Sequence, residues 1–337
     1  LWHAYMGSET DDAMDFGAAV AVGASGNVFV AGRSGLTWGS PIDWFAGGNT
    51  DGFVAKLDSN GYRQWNTFLG GVDGDELRGV AVDTSDNVYV AGYSLAGWGT
   101  PIIPYAGEWD AFAAKLDSAG SGQWLTFLGS VDHGELGWDI AVDGGRNVYV
   151  TGVSMGIWGI PFGPVLTHPG GFVAELNPDG VLQWNYFLEA ILDGMALDGS
   201  RTIYASGGGD VDWGTPVNPK EGPMGSWDAF VARIGSAAIE IDIDIKPGSD
   251  PNCFNLNGHG VIPVAINGNA QFYVYDIDVG TLLFGGLQVR IRGNKGPLCS
   301  IEDWNDDGHL DMVCHFEDDP GSWIEGDSTA TLTGSLL

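Results

Sequence analysis

The fold is decided by residues 77–129, which read LRGVAVDTSDNVYVAG at 77–92, WGTP at 98–101, DAFAAKLD at 110–117 and QWLTFLG at 123–129. Short β-branched and aromatic runs alternate with polar turns, and no helical stretch separates them. One copy of the pattern therefore predicts one antiparallel sheet of four strands. These predicted strands are Val80–Asp83, Asn87–Gly92, Phe112–Asp117 and Gln123–Leu128.

The pattern recurs along the first two thirds of the chain. The tetrad Asn-Val-Phe/Tyr-Val begins at Asn27, Asn87 and Asn147, and a degenerate copy begins at Thr202, so the spacings are 60, 60 and 55 residues. Repetition at such a period is typical of propellers and solenoids. We therefore expect four copies of one sheet.

The ends of the repeat region indicate how the copies are arranged. Three copies end in a strand that contains a tryptophan, namely Trp65, Trp124 and Trp184. The fourth copy lacks this strand, whereas residues 1–7, LWHAYMG, match it and precede the first copy. Ring closure removes an open sheet edge. We predict an all-β fold in which residues 1–237 form a four-bladed β-propeller, closed by pairing of Trp2–Met6 with Asp228–Arg233.

The repeat resembles a secreted bacterial and archaeal β-propeller repeat called SBBP. The resemblance is carried by Ala81–Gly92, Trp98-Gly99, Asp110–Asp117 and Trp124–Gly129. It implies an extracellular or cell-surface protein without catalytic residues common to the family. The fourth copy departs most from the pattern.

A Trp-Gly loop with a proline three residues after the tryptophan recurs in every copy, at Trp38, Trp98, Trp158 and Trp213. Four tryptophans on one rim would form a candidate ligand rim that stacks on sugars. Alternatively, each tryptophan packs over the next blade, while glycine and proline fix the turn. The identical placement in every copy favours packing, and a lectin-like propeller is the alternative function.

Two catalytic patterns are discounted. Residues 152–156, GVSMG, fit the nucleophile-elbow pattern, but Ser34 and Ser94 hold the position of Ser154 in other copies and no helix follows. Acidic pairs such as Asp132 with Glu135 carry little information about glycoside hydrolysis in a chain with 44 acidic residues. We therefore predict no catalytic site, and a polysaccharide-acting enzyme is the weakest alternative.

Residues 238–337 contain no copy of the repeat. Their strand-like runs predict a small β-sandwich. The runs are Ile239–Ile245, Val261–Ile266, Gln288–Arg292, Leu310–Phe316 and Ser328–Thr333. The region resembles a module that often ends secreted bacterial and archaeal proteins, a resemblance that implies no activity. It is carried by Asp244–Ser249, Gly260–Ile266, Thr281–Gly285 and Ala330–Gly334.

The sequence DWNDDGHLD at 303–311 is the most specific chemical pattern. Side-chain oxygens at its positions 1, 3, 5 and 9, with glycine at position 6, suit a loop around a hard cation. We predict a calcium site formed by Asp303, Asn305, Asp307, the carbonyl of His309, and Asp311. Position 12 is Cys314, so the loop is not an EF-hand. The alternative is an acidic Asx turn without metal.

The chain has 13 Lys and Arg residues against 44 Asp and Glu residues, for a net charge of −31. This charge argues against nucleic acid as a partner and suits divalent cations, with a polysaccharide or cationic ligand as a minority alternative. No apolar run reaches the roughly 18 residues of a membrane span. No signal-like segment opens the chain, so we expect a soluble protein or a mature form, secreted or at the cell surface.

Three cysteines, Cys253, Cys299 and Cys314, permit at most one internal disulfide, and three pairings are open.

The expected function is that of a non-catalytic extracellular structural or interaction protein. Head-to-tail contacts between copies would build a fibre, tube or layer, and the apolar end Leu336-Leu337 would suit a partner surface. The net charge opposes association, so calcium or acid would have to neutralise carboxylates at the contact.

Overall fold

A computed structural model of the chain describes residues 1–10, 14–161, 170–198, 201–210, 217, 226–234, 243–245, 247, 260–268, 274–318 and 331–336. The chain divides into two compact units, Leu1–Ala237 and Ala238–Leu337. The described residues form β-strands and two short 3₁₀ helices, Val274–Asp276 and Gly293–Lys295, without an α-helix. Within these ranges, no helix has the length and apolar character that crossing a membrane requires.

The strands of the first unit form successive antiparallel sheets, which we call blades. Blade 1 contains β1 (Phe16–Val22), β2 (Val28–Ser34), β3 (Asp51–Leu57) and β4 (Arg63–Leu69). Blade 2 contains β5 (Asp75–Val82), β6 (Val88–Ser94), β7 (Asp110–Leu116) and β8 (Gly122–Leu128). Blade 3 contains β9 (Glu135–Val142), β10 (Val148–Ser154), β11 (Gly171–Leu176) and β12 (Leu182–Leu188). Blade 4 contains, among the described residues, β13 (Ile191–Leu197), β14 (Ile203–Gly209) and β15 (Asp228–Ile234). The predicted all-β, propeller-like repeat is confirmed.

Local chemistry fixes the hairpins of each blade. In blade 2, the Asp83 carboxylate accepts the backbone N–H groups of Ser85 (2.8 Å) and Asn87 (3.0 Å), which sets the turn from β5 to β6. A bulge in β5 brings the carbonyl of Glu76 so close to Gly92 that a Cβ there would lie 1.9 Å from it. The glycine that ends the tetrad run is therefore required by the bulge.

The blades pack in sequence order, with β5 against β1, β9 against β5, and β13 against β9. We call these contacts the first, second and third junctions. Each is filled by one apolar core from two blades. The first core includes Phe29, Val54, Leu77 and Val80, the second Tyr89, Ala113, Ile140 and Val150, and the third Tyr149, Val173, Leu192 and Ile203.

The predicted closing strand is not formed in the structure. Of the described residues, Trp2–Met6 has no strand conformation and β15 pairs with β14 alone. Nor does β13 pack along β1. In the structure Trp2 is instead held on blade 1, where its indole N–H donates to the carbonyl of Ser59 at 3.2 Å. Val20 of β1 and Val231 of β15, at the two ends of the blade array, are 65% and 74% exposed.

The second unit contains two antiparallel sheets. One consists of β16 (Ile243–Ile245), β17 (Gly260–Ile266), β20 (Cys299–Glu302) and β21 (Asp311–Asp318), and the other of β18 (Ile277–Phe284), β19 (Leu287–Gln288) and β22 (Leu332–Leu336). The sheets share one apolar core, in which the rings of Phe284 and Phe316 are 5.7 Å apart.

Two strands of this unit were not predicted, and one prediction was too long. The unpredicted strands are β18 and β20, and the predicted strand at Gln288–Arg292 is reduced to the two-residue β19. A disulfide joins Cys299 to Cys314 across β20 and β21, which selects one of the three open pairings. Cys253 lies outside the described residues.

Candidate functional site

The loop between β20 and β21, where calcium is predicted, is braced by its own side chains. Asp303 accepts the N–H groups of Asp307 and Gly308, both at 3.1 Å. Asn305 Oδ1 accepts the N–H of Asp307 at 3.0 Å, and Asp307 Oδ1 accepts that of His309 at 2.8 Å. The side chains at the first, third and fifth positions therefore fix one turn by accepting its backbone N–H groups.

Asp311 has a different role from the other predicted calcium ligands. It is fully buried at the start of β21. Its Oδ2 accepts the N–H of Trp304 (2.8 Å) and of Asn305 (3.3 Å), and its Oδ1 accepts the N–H of Gly268 (2.9 Å). Among the described residues, no group of three or more Asp, Glu, His or Cys side chains is arranged to hold a metal. Asp311 therefore braces the backbone of the loop in this structure, and calcium binding through Asp303, Asn305, Asp307 and the His309 carbonyl stays a prediction.

The Trp-Gly loops do not present an exposed stacking rim at the three described positions. Trp38 and Trp158 are 5% and 7% exposed, and Trp98 is half-buried. Each indole packs edge-to-face on a phenylalanine of its own blade: Trp38 on Phe53 (5.1 Å), Trp98 on Phe112 (5.4 Å) and Trp158 on Phe172 (5.1 Å). The tryptophans thus pack mainly within their own blades and not over the next one. Trp213 lies outside the described residues.

Ser154, the serine of the discounted elbow pattern, is fully buried. Its Oγ donates to Glu135 Oε1 (3.2 Å) and accepts the indole N–H of Trp158 (3.1 Å). This serine therefore links a buried acid to the Trp-Gly loop, which is a scaffold role.

Buried carboxyl groups mark the first junction. Asp51 begins β3 and Asp75 begins β5, and their exposures are 0% and 1%. The N–H of Asp75 donates to the carbonyl of Thr50 at 2.7 Å, which joins the two blades. A Cβ built on Gly70 would lie 3.0 Å from Cγ of Asp51 and 2.9 Å from Cγ of Asp75. The two carboxyl groups therefore flank a single glycine.

The second junction repeats this arrangement. Asp110 begins β7 and Glu135 begins β9, and both are fully buried. The N–H of Glu135 donates to the carbonyl of Trp109 at 2.8 Å. Asp110 accepts backbone N–H groups from its own loop, and Glu135 accepts the N–H and hydroxyl of Ser130 at 2.8 and 2.9 Å. These acids are thus held by donors from both sides of the junction.

Burial controls the protonation of these groups. It raises the pKa of Asp51 to about 7, with a further contribution from the charge of Asp75. It raises the pKa of Asp75 to about 6 and that of Glu135 to about 6, against hydrogen bonds that lower them. Burial also raises the pKa of Asp110. Two nearby carboxylates in a dry site cannot both ionise cheaply, so the junctions retain protons that free side chains release.

The N-terminal segment lies on blade 1 as the last strand of a preceding blade would. The indole N–H of Trp65 in blade 1 donates to Ser118 O of blade 2 at 3.2 Å, and that of Trp2 donates to Ser59 O of blade 1 at 3.2 Å. Trp124 of blade 2 makes the same contact with Pro178 O of blade 3 at 3.1 Å. Residues 2–8 therefore take the place on blade 1 that the fourth strands of blades 1 and 2 take on blades 2 and 3, whereas Trp184 in the fourth strand of blade 3 donates to Glu175 of its own blade at 2.6 Å.

Sequence reasoning missed the junction acids. The acids in these loops were discounted as a sign of glycoside hydrolysis, and their pattern gave no indication that the Glu135 carboxyl is buried at the junction of two blades. The two pairs have similar spacings, 24 residues from Asp51 to Asp75 and 25 from Asp110 to Glu135, but such a spacing does not by itself single out a pair among 44 acidic residues.

A family profile for the β-propeller repeat called SBBP matches residues 64–97. Regulatory protein FlaEY of Caulobacter vibrioides is 31% identical over 120 residues, which are 34% of this chain and 12% of that protein. The chain therefore matches only a small part of this relative. A crystal structure of a protein of unknown function from Bacteroides caccae covers 91% of this chain and 79% of its own, at 12% identity and a TM-score of 0.35. That score is too low to indicate a shared fold.

Proposed function

We propose that this chain, which carries the SBBP β-propeller repeat, is a non-catalytic extracellular structural or interaction protein. The observation that carries the proposal is that the repeated side chains are engaged in the scaffold. The three described Trp-Gly tryptophans pack on phenylalanines, Ser154 binds Glu135, and Trp65 and Trp124 of two fourth strands bind the next blade. A repeat whose polar and aromatic residues hold the scaffold supports a role in architecture.

The proposal includes closure of the blade array into a four-bladed ring. Its support is the contrast between the end faces and the inner junctions. Val20 of blade 1 is 65% exposed, whereas the equivalent Val80 of blade 2 is 8% exposed. Val231 of blade 4 is 74% exposed, whereas the equivalent Val54 of blade 1 is fully buried. The two end faces thus have the composition of two halves of one junction.

Copies of the closed ring associate further into a fibre, tube or layer. Association has to overcome the net charge of −31, so it requires a cation or acid at the contact. The test is light scattering and negative-stain electron microscopy of the full chain with calcium and with chelator. We expect particles that grow with concentration in calcium. A monodisperse 35.5 kDa species under both conditions at high concentration overturns the assembly proposal.

Calcium binding at the β20–β21 loop is part of the same proposal. A ligand that binds only the folded state raises its stability with the logarithm of ligand concentration. We expect calcium to raise the melting temperature of the full chain, and D303N to remove this shift. The matched control is D306N, which removes one charge from the same loop at a residue outside the donor set. An equal loss in both variants, or no calcium shift at all, identifies the loop as a turn without metal.

A further inference from the structure

The buried junction acids belong to a set of three positions. The set comprises the acid that starts the third strand of one blade, the acid at the start of the first strand of the next blade, and the serine that ends the second strand of that next blade. At the first junction it is Asp51, Asp75 and Ser94, and at the second it is Asp110, Glu135 and Ser154. The serine lies opposite the second acid in the β-ladder at both junctions.

The third junction lacks the whole set. The equivalent positions are Gly170, Ala190 and Gly209, and a Cβ on Gly170 would lie 3.0 Å from the backbone nitrogen of Ala190. All three polar side chains are missing together, although they belong to two different blades. They therefore act as one unit, because an acid kept on one side alone would be a buried charge without its partner groups.

A fourth set exists only if the two ends of the array are combined. Asp228 starts β15 of blade 4, Asp15 precedes β1 of blade 1, and Ser34 ends β2 of blade 1. Half of this set is already assembled, because Ser34 Oγ donates to Asp15 Oδ1. Asp15 Oδ2 also accepts the N–H of Ser8 at 2.9 Å, just as Asp75 accepts the N–H of Gly71 at 2.8 Å.

We propose that Asp228 and Asp15 of the same chain meet as the carboxyl pair of a fourth junction, where blade 4 packs on blade 1. In this junction the carbonyl of Trp227 accepts the N–H of Asp15, in the way that Thr50 O and Trp109 O accept the N–H groups of Asp75 and Glu135. Residues 2–7 then lie along the edge of β15 opposite β14, as the fourth strand of blade 4. This inference rests on the ring closure in the proposed function and names the contact that makes it.

The surfaces around this contact fit the assignment. Trp227, Val231 and Tyr204 of blade 4 are 60%, 74% and 38% exposed, and Val20 of blade 1 is 65% exposed. At the inner junctions the residues equivalent to Tyr204 are Phe29, Tyr89 and Tyr149, which are at most 2% exposed. Burial of one large apolar side chain stabilises a protein by about 1.5–3 kcal/mol. The uncovered end faces therefore favour contact with each other.

The same chain is the favoured partner for two reasons. Its closing strand is already in place on its own blade 1, through the contacts of Trp2 with Ser59 and of Ser8 with Asp15. A second copy would also have to approach against a net charge of −31 on each molecule.

Disulfide trapping tests the contact. In a Cys253→Ser background, D15C/D228C should form a disulfide within one chain under mild oxidation at low protein concentration. Tryptic mass spectrometry then shows the two peptides linked, while the protein runs as a monomer on a denaturing gel. The pair D51C/D75C is the positive control because these residues already flank one glycine, and A190C/D228C is the negative control. A link between chains, or a fully reduced D15C/D228C pair while the positive control is linked, overturns the proposal.

Hydrogen exchange of the unmodified chain gives a second measurement that does not depend on the variants folding. Closure protects β15 on both edges, so its amides should exchange as slowly as those of β7, and deletion of residues 1–7 should speed them selectively. Fast exchange of β15 in the intact chain overturns the fourth junction. If D15C and D228C form the disulfide and β15 exchanges slowly, but the protein stays monomeric in every condition, the fourth junction is supported and the assembly proposal is rejected. The failure of one proposal can therefore be told from the failure of the other.

Discussion

The first and third junctions join blades of the same fold with different chemistry. Both contain an apolar core, in which Leu77 and Leu192 hold equivalent, fully buried positions. The first junction adds two buried carboxyl groups, whereas the third has Gly170 and Ala190 in their place. Because the third junction packs without this acid pair, the pair is not required to join blades; there Asp139 of blade 3 accepts the N–H of Met195 of blade 4 at 2.8 Å beside the apolar core. The carboxyl groups of the first junction add hydrogen bonds across it and a dependence on protons.

The largest expected loss of stability comes from substitutions in the apolar core, which is the part that the two junctions share. L77A and L192A each remove a buried side chain from an apolar core, and such changes cost about 2–5 kcal/mol of unfolding free energy. Urea denaturation followed by tryptophan fluorescence measures both. The control V72A changes a side chain that is 75% exposed and should cost less than about 0.5 kcal/mol. A small loss in either leucine variant would show that its junction is held by something other than the core.

The second prediction concerns the pH dependence of stability, which the acid pair of the first junction should add. The pKa of Asp51 rises from 3.8 to about 7 and that of Asp75 to about 6 in the folded protein. The folded chain thus keeps protons that the unfolded chain releases between about pH 4 and 7, and stability contributed by these groups falls as pH rises through that window. Above pH 7 both carboxyl groups are ionised, and the stability that their protonated forms contribute is fully lost.

The measurement is the unfolding free energy from pH 4 to 8 in the wild type and in D51N/D75N. The double variant keeps neutral, hydrogen-bonding side chains, so its pH profile should be flatter in this window. D43N, at an exposed position in the same blade, is the control and should keep the wild-type slope. An unchanged slope in the double variant would mean that the first junction does not bind the protons assigned to it.

The smallest effect concerns one hydrogen bond across the first junction. W65F keeps the ring packing but removes the indole N–H that Ser118 O accepts, and the net value of such a bond is about 0.5–1.5 kcal/mol. Amide exchange in the turn at 117–121 should become faster. W44F, at a residue that is 68% exposed, should leave that turn unchanged. Equal exchange in W65F and the wild type would show that the bond does not tie the turn to blade 1.

Strands and repeats were predictable from sequence because both depend on local patterns. Val88–Ser94 is a short β-branched and aromatic run that follows a turn capped by the Asp83 side chain; the run recurs in every copy, and the cap recurs at Asp143 and Asp198. The junction acids were not predictable in the same way. Asp51 and Asp75 become a pair only when two blades meet, and in a chain with 44 acidic residues their spacing alone does not separate them from solvated carboxylates.

In the second unit, β18 was missed because its run contains Gly280, which weakens a strand pattern, and is stabilised by pairing with the distant β22. The disulfide could not be chosen from sequence, because only the β20–β21 register places Cys299 opposite Cys314. The calcium loop was predictable in its conformation, but the inward orientation of Asp311 depends on Gly268, which comes from another loop.

The contacts of Trp65 and Trp124 with the following blade bear on how a gene that encodes such repeats can change length. Trp65 lies against Gly120 of the following blade, and Trp124 lies against Gly180 of the one after it. The second period, residues 75–134, thus encodes both the donor Trp124 for its successor and the acceptor Gly120 for its predecessor. It also carries Asp75 and Asp110, one acid for each of its two junctions. An in-frame duplication of this period leaves each of these tryptophans facing an acceptor and each junction acid facing another acid, so recombination can add a blade here without compensating substitutions elsewhere in the coding sequence.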